Sequence, residues 1–195
     1  EVEKGYKWIN ELEINKISNR HSITLYAHFI ENFIFERPFA IIGTIRGPMP
    51  AFIFDQTNAV FAGVDYSWRR EWSSKVIGTL GVSYLWSKNV SKNEVLINQP
   101  PAQLNYKLNY DLPVFWKLNH SKVSFQPLYV FKQFQAPRGI SPENIIDGSE
   151  QITLESEIFD FYDAPNGYFL FNVYWRFNWK RFGGSLGIEN LFNTQ

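Results

Sequence analysis

The sequence predicts an all-β chain, an antiparallel transmembrane β-barrel segment of about eight strands. Three observations predict it. Residues 102–112 read Ala-Gln-Leu-Asn-Tyr-Lys-Leu-Asn-Tyr-Asp-Leu, with apolar or aromatic side chains at even positions and Gln, Asn, Lys or Asp at odd ones. A period of two sends the two sets to opposite faces of a strand, and the segment has the roughly 9–11 residues that a tilted strand needs to cross a bilayer. The pattern then recurs along the chain, with connections that are by turns short and long, as in barrels with short periplasmic turns and longer extracellular loops. Finally, aromatics make up 18% of the 195 residues. Phe, Tyr and Trp favour strands, and Tyr and Trp favour membrane–water boundaries.

The first strand is expected at 6–16, with Tyr6, Trp8, Leu12 and Ile14 on one face and Lys7, Glu11 and Glu13 on the other. Ser18-Asn19-Arg20 makes a tight turn into a second strand at 22–36, which places Ile23, Leu25, Ala27 and Phe29 together. Gly43, Gly47, Pro48 and Pro50 read as a longer loop. The third strand, at 52–69, sends Val60, Ala62, Val64, Tyr66 and Trp68 toward lipid and Phe61, Gly63, Asp65, Ser67 and Arg69 inward. After a turn at 71–74, the fourth, at 75–87, turns Val76, Leu80, Val82, Tyr84 and Trp86 outward. A polar loop at 88–99 leads to the fifth strand, 102–112. A turn at Asn119-His120-Ser121 leads to the sixth, at 122–134, where Pro127 cannot donate a ladder hydrogen bond and predicts a bulge or local defect.

The longest connection, 135–166, is rich in Pro, Gly, Asp and Glu. The seventh strand, at 167–179, puts Phe169, Phe171, Val173, Trp175 and Phe177 on one face. Arg181-Phe182-Gly183 turns into the eighth, at 184–193, with Leu186 and Ile188 outward. Trp8, Trp68, Trp86 and Trp179 sit near strand ends, where an interfacial girdle belongs.

Composition narrows the function. The 19 basic and 19 acidic residues cancel, so no electrostatic footprint for nucleic acid exists. Without cysteine there is no disulfide, thiolate metal site or thiol nucleophile. No apolar run reaches the roughly 18 residues of a membrane helix, which leaves a barrel untouched. The polar start, Glu1-Val2-Glu3-Lys4, looks like a cut inside a longer protein.

At three places the residues resemble a family. Gly187-Ile188-Glu189-Asn190-Leu191-Phe192-Asn193 is similar to the penultimate-strand signature of TonB-dependent outer-membrane receptors. Arg46-Gly47-Pro48-Met49-Pro50 leads into Phe54-Asp55-Gln56-Thr57-Asn58-Ala59, then Gly63 and Asp65, and resembles that family's Gln-Thr-x-Ala segment followed by Gly-x-Asp. Pro100-Pro101 ahead of Leu104, Tyr106 and Leu108 resembles its Pro-Pro lead-in to a descending strand. The resemblance implies a larger, roughly 22-stranded barrel around a plug, with residues 1–195 as its C-terminal portion and the plug domain and final strand outside this chain. It also implies the outer membrane as location, with lipid and lipopolysaccharide around the barrel. The implied activity is uptake of a small-molecule ligand, a scarce nutrient such as a ferric siderophore, powered by the TonB complex through a segment outside this chain. No cofactor is implied.

No catalytic constellation appears. His21, His28 and His120 lack a nearby nucleophile and metal-site spacing, so an enzyme ranks last. Glu143, Asp147, Glu150, Glu155, Glu157, Asp160 and Asp163 supply hard oxygen donors for Ca²⁺, but without an Asp-x-Asp-x-Asp-Gly loop they read better as a solvated surface. Arg46 and Arg138, on the expected outer side, are the candidate ligand contacts, because guanidinium grips carboxylate with two N–H groups. An ordinary loop salt bridge is the plainer reading of both. Asp65, Arg69, Lys107 and Arg176 are expected to face the lumen and the plug. Two rival architectures remain open here: a stand-alone eight-stranded barrel with an adhesion or anchoring role, and a soluble β-sandwich.

Overall fold

The computed structural model describes residues 2–96, 98–114, 118–148 and 159–193. Its main body is one eight-stranded antiparallel sheet in the order β1-β2-β3-β4-β5-β6-β9-β10. The strands are β1 Lys4–Lys16, β2 Asn19–Thr44, β3 Gly47–Ser73, β4 Val76–Asn89, β5 Gln103–Asp111, β6 Leu118–Val130, β9 Tyr168–Trp179 and β10 Phe182–Ile188. A two-residue parallel pair, β7 Arg138–Gly139 with β8 Phe159–Asp160, and a short helix α1, Pro142–Ile146, lie in the long connection after β6.

Register makes the alternation continuous across the sheet. Leu12 pairs with Ile23, Ile23 with Tyr66, Tyr66 with Val82, Val82 with Leu104, Leu104 with Tyr129 and Tyr129 with Phe169. Paired residues share a face, so this row runs apolar through seven strands. The neighbouring row, Glu11, Thr24, Asp65, Ser83 and Gln103, is polar. A slip of one residue anywhere would exchange the faces.

Among the described residues no second sheet covers either face. Leu12, Leu25, Leu104, Phe125 and Leu186 stay 36–62% exposed on the apolar side. A water-soluble sandwich buries this side against a partner sheet, so the sandwich reading fails. Among the described residues no ladder joins β1 to β10. The sheet is therefore open, and the stand-alone closed barrel is also not formed. Along β3 the apolar stretch from Val60 to Trp68 covers roughly 27 Å of strand, or about 20 Å across a sheet tilted by 35–45°, close to the apolar band of a membrane barrel.

Several expectations need correction. The second connection is not a loop of the expected length. β2 and β3 pair to Thr44 and Gly47 around a two-residue turn at Ile45 and Arg46. The extra ladder projects about 40 Å at roughly 3.3 Å per residue beyond the rest of the sheet. Its base carries a register shift between Ile30 and Phe33. Asn119-His120-Ser121 is no turn, since it lies in β6, where a bulge between Asn119 and Lys122 puts His120 at φ 51°. Pro127 causes a defect without a bulge. Its ladder to β9 is unbroken, but pairing to β5 lapses between Asn105–Leu128 and Leu108–Phe125. The missing N–H falls on the β5 side. β10 ends at Ile188, short of Asn193, because Asn190 and Asn193 turn with positive φ. The folded-back segment bonds Leu191 N–H to Phe171 O at 2.9 Å, and the Phe192 ring rests on Phe171.

Candidate functional site

The sheet has two unlike ends. At one, short turns close β1 to β2 and β3 to β4, and a third closes β9 to β10. At the other, three long segments meet: the projecting β2–β3 hairpin, the β4–β5 connection and the β6–β9 connection. Among the described residues, a cluster of buried apolar side chains lies among these segments. Ile140, Phe159 and Phe161 are buried there, with Ile41 and Phe52 of the hairpin and Ile145 of α1 packed against them. Phe161 meets Phe52 and Phe159 edge to face, each at 5.4 Å between ring centres. Burying these rings away from water gives two otherwise separate segments a common core.

A charged cluster ties the hairpin to the β4–β5 connection. Arg37 Nε donates to Asp55 Oδ2 at 2.8 Å, and Lys92 Nζ reaches the same oxygen at 3.4 Å. Burial pushes the Asp55 carboxyl up, but the Gln56 amide, Arg37 and Lys92 together hold it below the usual carboxylate range. Glu94 goes the other way, raised by burial and only partly offset by Lys92 and Arg37.

Amide side chains join the third segment. Gln135 donates from Nε2 to the Tyr84 hydroxyl at 2.8 Å and accepts the Ser87 N–H at 3.2 Å. Gln133 donates to the Gln99 carbonyl at 2.9 Å. Between them opens a cleft of about 600 Å³, within the usual size of small-molecule sites. Pro100, Pro101, Pro137 and Pro165 stiffen its walls, and Glu36, Asp160 and Asp163 bring carboxylates to it. This is the candidate site. The sequence reading missed Gln133 and Gln135, which mark it.

The expected site residues fall in three places. Arg46 is exposed at the hairpin tip, where Gly47 takes the φ of 107° that the turn demands. Arg138 is exposed in β7 beside the cleft, which Pro137 lines and Arg138 does not. The structure does not bring these two arginines into one site. Asp65, Arg69, Lys107 and Arg176 all lie on the polar face by register, with Arg69 and Lys107 both opposite Thr79. Arg69 binds Glu71 at 3.1 Å.

The histidines are scattered. His21 stacks on Trp68 and meets the Tyr66 hydroxyl at 2.9 Å, while His120 borders a separate cavity with Lys122 and Arg176 at the turn end. Of the loop acids, Glu143 gives its backbone N–H to the hydroxyl of Ser141, the N-cap of α1. Glu150, Glu155 and Glu157 lie outside the described residues, among which no acidic or histidine cluster suits a metal ion.

No protein-family model matches the chain, and no curated protein sequence matches it. Solved structures do, among them the copper transporter OprC, at a TM-score of 0.72 and 18% identity over 97% of this chain and 25% of that one. The chain thus spans about a quarter of that protein's length. At this identity the likeness speaks for the fold alone: a segment of the wall of a barrel protein.

Proposed function

We propose that this chain is part of the wall of an outer-membrane active-transport receptor of the TonB-dependent kind. The apolar face meets lipid, and the polar face meets a lumen and its plug. The turn end is periplasmic and the loop end extracellular. The observation that carries the proposal is the uncovered apolar face running unbroken across the sheet. Only hydrocarbon satisfies such a face without a second layer, and only closure by further strands satisfies its two edges. The motifs around Gln56-Thr57 and Asn190-Leu191-Phe192-Asn193 and the likeness to a barrel transporter support the same reading.

In this reading residues 1–195 are the C-terminal portion of the barrel. Asp65, Arg69, Lys107 and Arg176 face the plug or lumen, and Arg138 beside the cleft and Arg46 at the hairpin tip are separate outer contacts for ligand. The cargo is a scarce nutrient such as a ferric siderophore, pulled in with energy from the TonB complex. Copper is the second reading, favoured by the likeness to OprC. Uptake of labelled iron chelates and of copper, compared between a deletion strain and its parent with and without a protonophore, tests both. Loss of energy-dependent uptake of one ferric siderophore supports the first, and loss of copper uptake alone supports the second. Unchanged uptake of every compound sinks the transport reading.

A further inference from the structure

The two faces of the sheet treat their cations differently. On the polar face Arg20 binds Glu13 at 2.7 Å, Arg69 binds Glu71 at 3.1 Å and Lys122 binds Asp111 at 3.3 Å. Arg70, the next residue, points to the opposite face. Among the described residues it has no carboxylate partner, and its guanidinium carbon lies 6.0 Å from the centre of the Trp72 ring. At another turn Lys180 Nζ sits 5.4 Å from the Trp179 ring centre in the same way. Register accounts for the contrast. Glu11, Glu13, Asp65, Glu71 and Asp111 all fall on the polar face, and the apolar face of β1 to β5 has no carboxylate until Glu31 at the loop end. Nothing on that side neutralises the cations of the turn-end rim.

Trp72 is held where it is. It lies across Gly78 of β4, close to the Tyr106 hydroxyl, so that a Cβ at Gly78 would stand 2.5 Å from the indole and 2.6 Å from that oxygen. The missing side chain is what lets the indole lie on the sheet. Arg70 sits above this platform, between Trp68 and Trp72 along β3, at the level where tryptophans mark the membrane boundary.

We propose that Arg70, Trp72 and Tyr106 form a site for the phosphate headgroup of an anionic phospholipid in the leaflet on the turn side. The proposal rests on the membrane-spanning reading above. A guanidinium offers two parallel N–H groups to phosphate oxygens, a charge-assisted pairing stronger than a neutral hydrogen bond. A cation over an indole keeps its charge directed at the water boundary while its stem covers apolar surface. The Tyr106 hydroxyl supplies a further donor, and Leu80 and Leu108 on the same face flank an acyl chain.

The test uses the full-length receptor in bilayer nanodiscs containing phosphatidylcholine and phosphatidylglycerol, with retained lipid counted by native mass spectrometry. The wild type is expected to retain phosphatidylglycerol, which Arg70→Gln loses and Arg69→Gln keeps. Gly78→Ala, which displaces Trp72 without changing charge, is expected to lose it too, and Arg70→Lys to keep only part. Equal retention by wild type, Arg70→Gln and Gly78→Ala overturns the site. Displacement of the lipid by millimolar inorganic phosphate overturns the lipid assignment in favour of a simple phosphate site. Failure of the receptor to enter nanodiscs at all overturns the membrane-spanning reading along with this one.

Discussion

The long β2–β3 hairpin contains both solvent regimes of the molecule. In its lower part, Ile23, Leu25 and Ala27 pair with Tyr66, Val64 and Ala62 on a face that nothing covers. In its upper part, Ile41 and Phe52 turn to Ile140, Phe159 and Phe161 and are covered by another segment. Within one pair of strands, an apolar row lies bare in the lower half, while in the projecting half a second segment shelters Ile41 and Phe52 and leaves Ile34, Phe39, Ile42, Met49 and Phe54 exposed. Protein in water hides such groups, so the covered patch around Ile41 and Phe52 packs as protein does in water, and the bare row of the lower half is a face suited to lipid. The change falls at the register shift between Ile30 and Phe33, where Asn32 takes a φ of 57° and its N–H bonds Asn58 Oδ1 at 3.2 Å.

If the covered patch is a water-type core, truncating it should act locally and strongly. Phe161→Ala is expected to destabilise the loop-end cluster by about 3 kcal/mol. Hydrogen exchange in the full receptor should then show faster exchange in the hairpin beyond Phe33 and in 138–147, with β4 and β5 unchanged. Equal loosening of the spanning strands would erase the distinction between the halves. In the lower half the sensitive change is a charge on the bare face. Val64→Arg, in the lipid-facing row, should cost about 2–4 kcal/mol of folding free energy in bilayers. Ser83→Arg, on the polar face beside Asp65, should cost less than about 1 kcal/mol. The reverse order in folding titrations would mean that the faces are exchanged.

A smaller effect sharpens the picture of the projecting half. Asp55→Asn removes the shared partner of Arg37 and Lys92 and should loosen the hairpin by about 1 kcal/mol, since these side chains are partly solvated. The pH dependence has a sign. The raised value of Glu94 means that its burial penalty is relieved first on acidification, which tightens the cluster slightly. The lowered value of Asp55 means that its contribution, complete above the ordinary carboxylate range, is lost as the pH falls through its depressed folded value. Distances between spin labels at the hairpin tip and in α1 should therefore narrow slightly and then broaden as pH falls. Broadening that begins near neutrality would contradict this assignment.

Much of the sheet was legible in the sequence because alternation is the direct imprint of two-sided solvation. β5 was placed at 102–112 and runs Gln103–Asp111, and β9 was placed at 167–179 and runs Tyr168–Trp179. The projecting hairpin was not legible. Pro48 and Pro50 read as loop residues, yet both sit in a two-strand ribbon whose outer edges pair with no further strand among the described residues, so a missing N–H there costs no ladder bond. His120 misled in the opposite direction, as a turn-like residue inside a strand, because a bulge needs the same backbone that a turn does. The cleft was hidden for another reason. Gln135 meets Tyr84 and Ser87 from 51 and 48 residues away, and no local pattern encodes such a meeting.

Everything proposed for this chain requires hydrocarbon on one face of the sheet and water or plug on the other. Single cysteines placed in turn at residues 60–67 of the full receptor, spin-labelled in bilayers, test it most directly through collision with oxygen dissolved in lipid and with a water-soluble nickel complex. Strict alternation is expected: oxygen dominates at Val60, Ala62, Val64 and Tyr66, and the oxygen signal falls at Phe61, Gly63, Asp65 and Ser67. A flat profile across these positions, or the opposite phase, would contradict it.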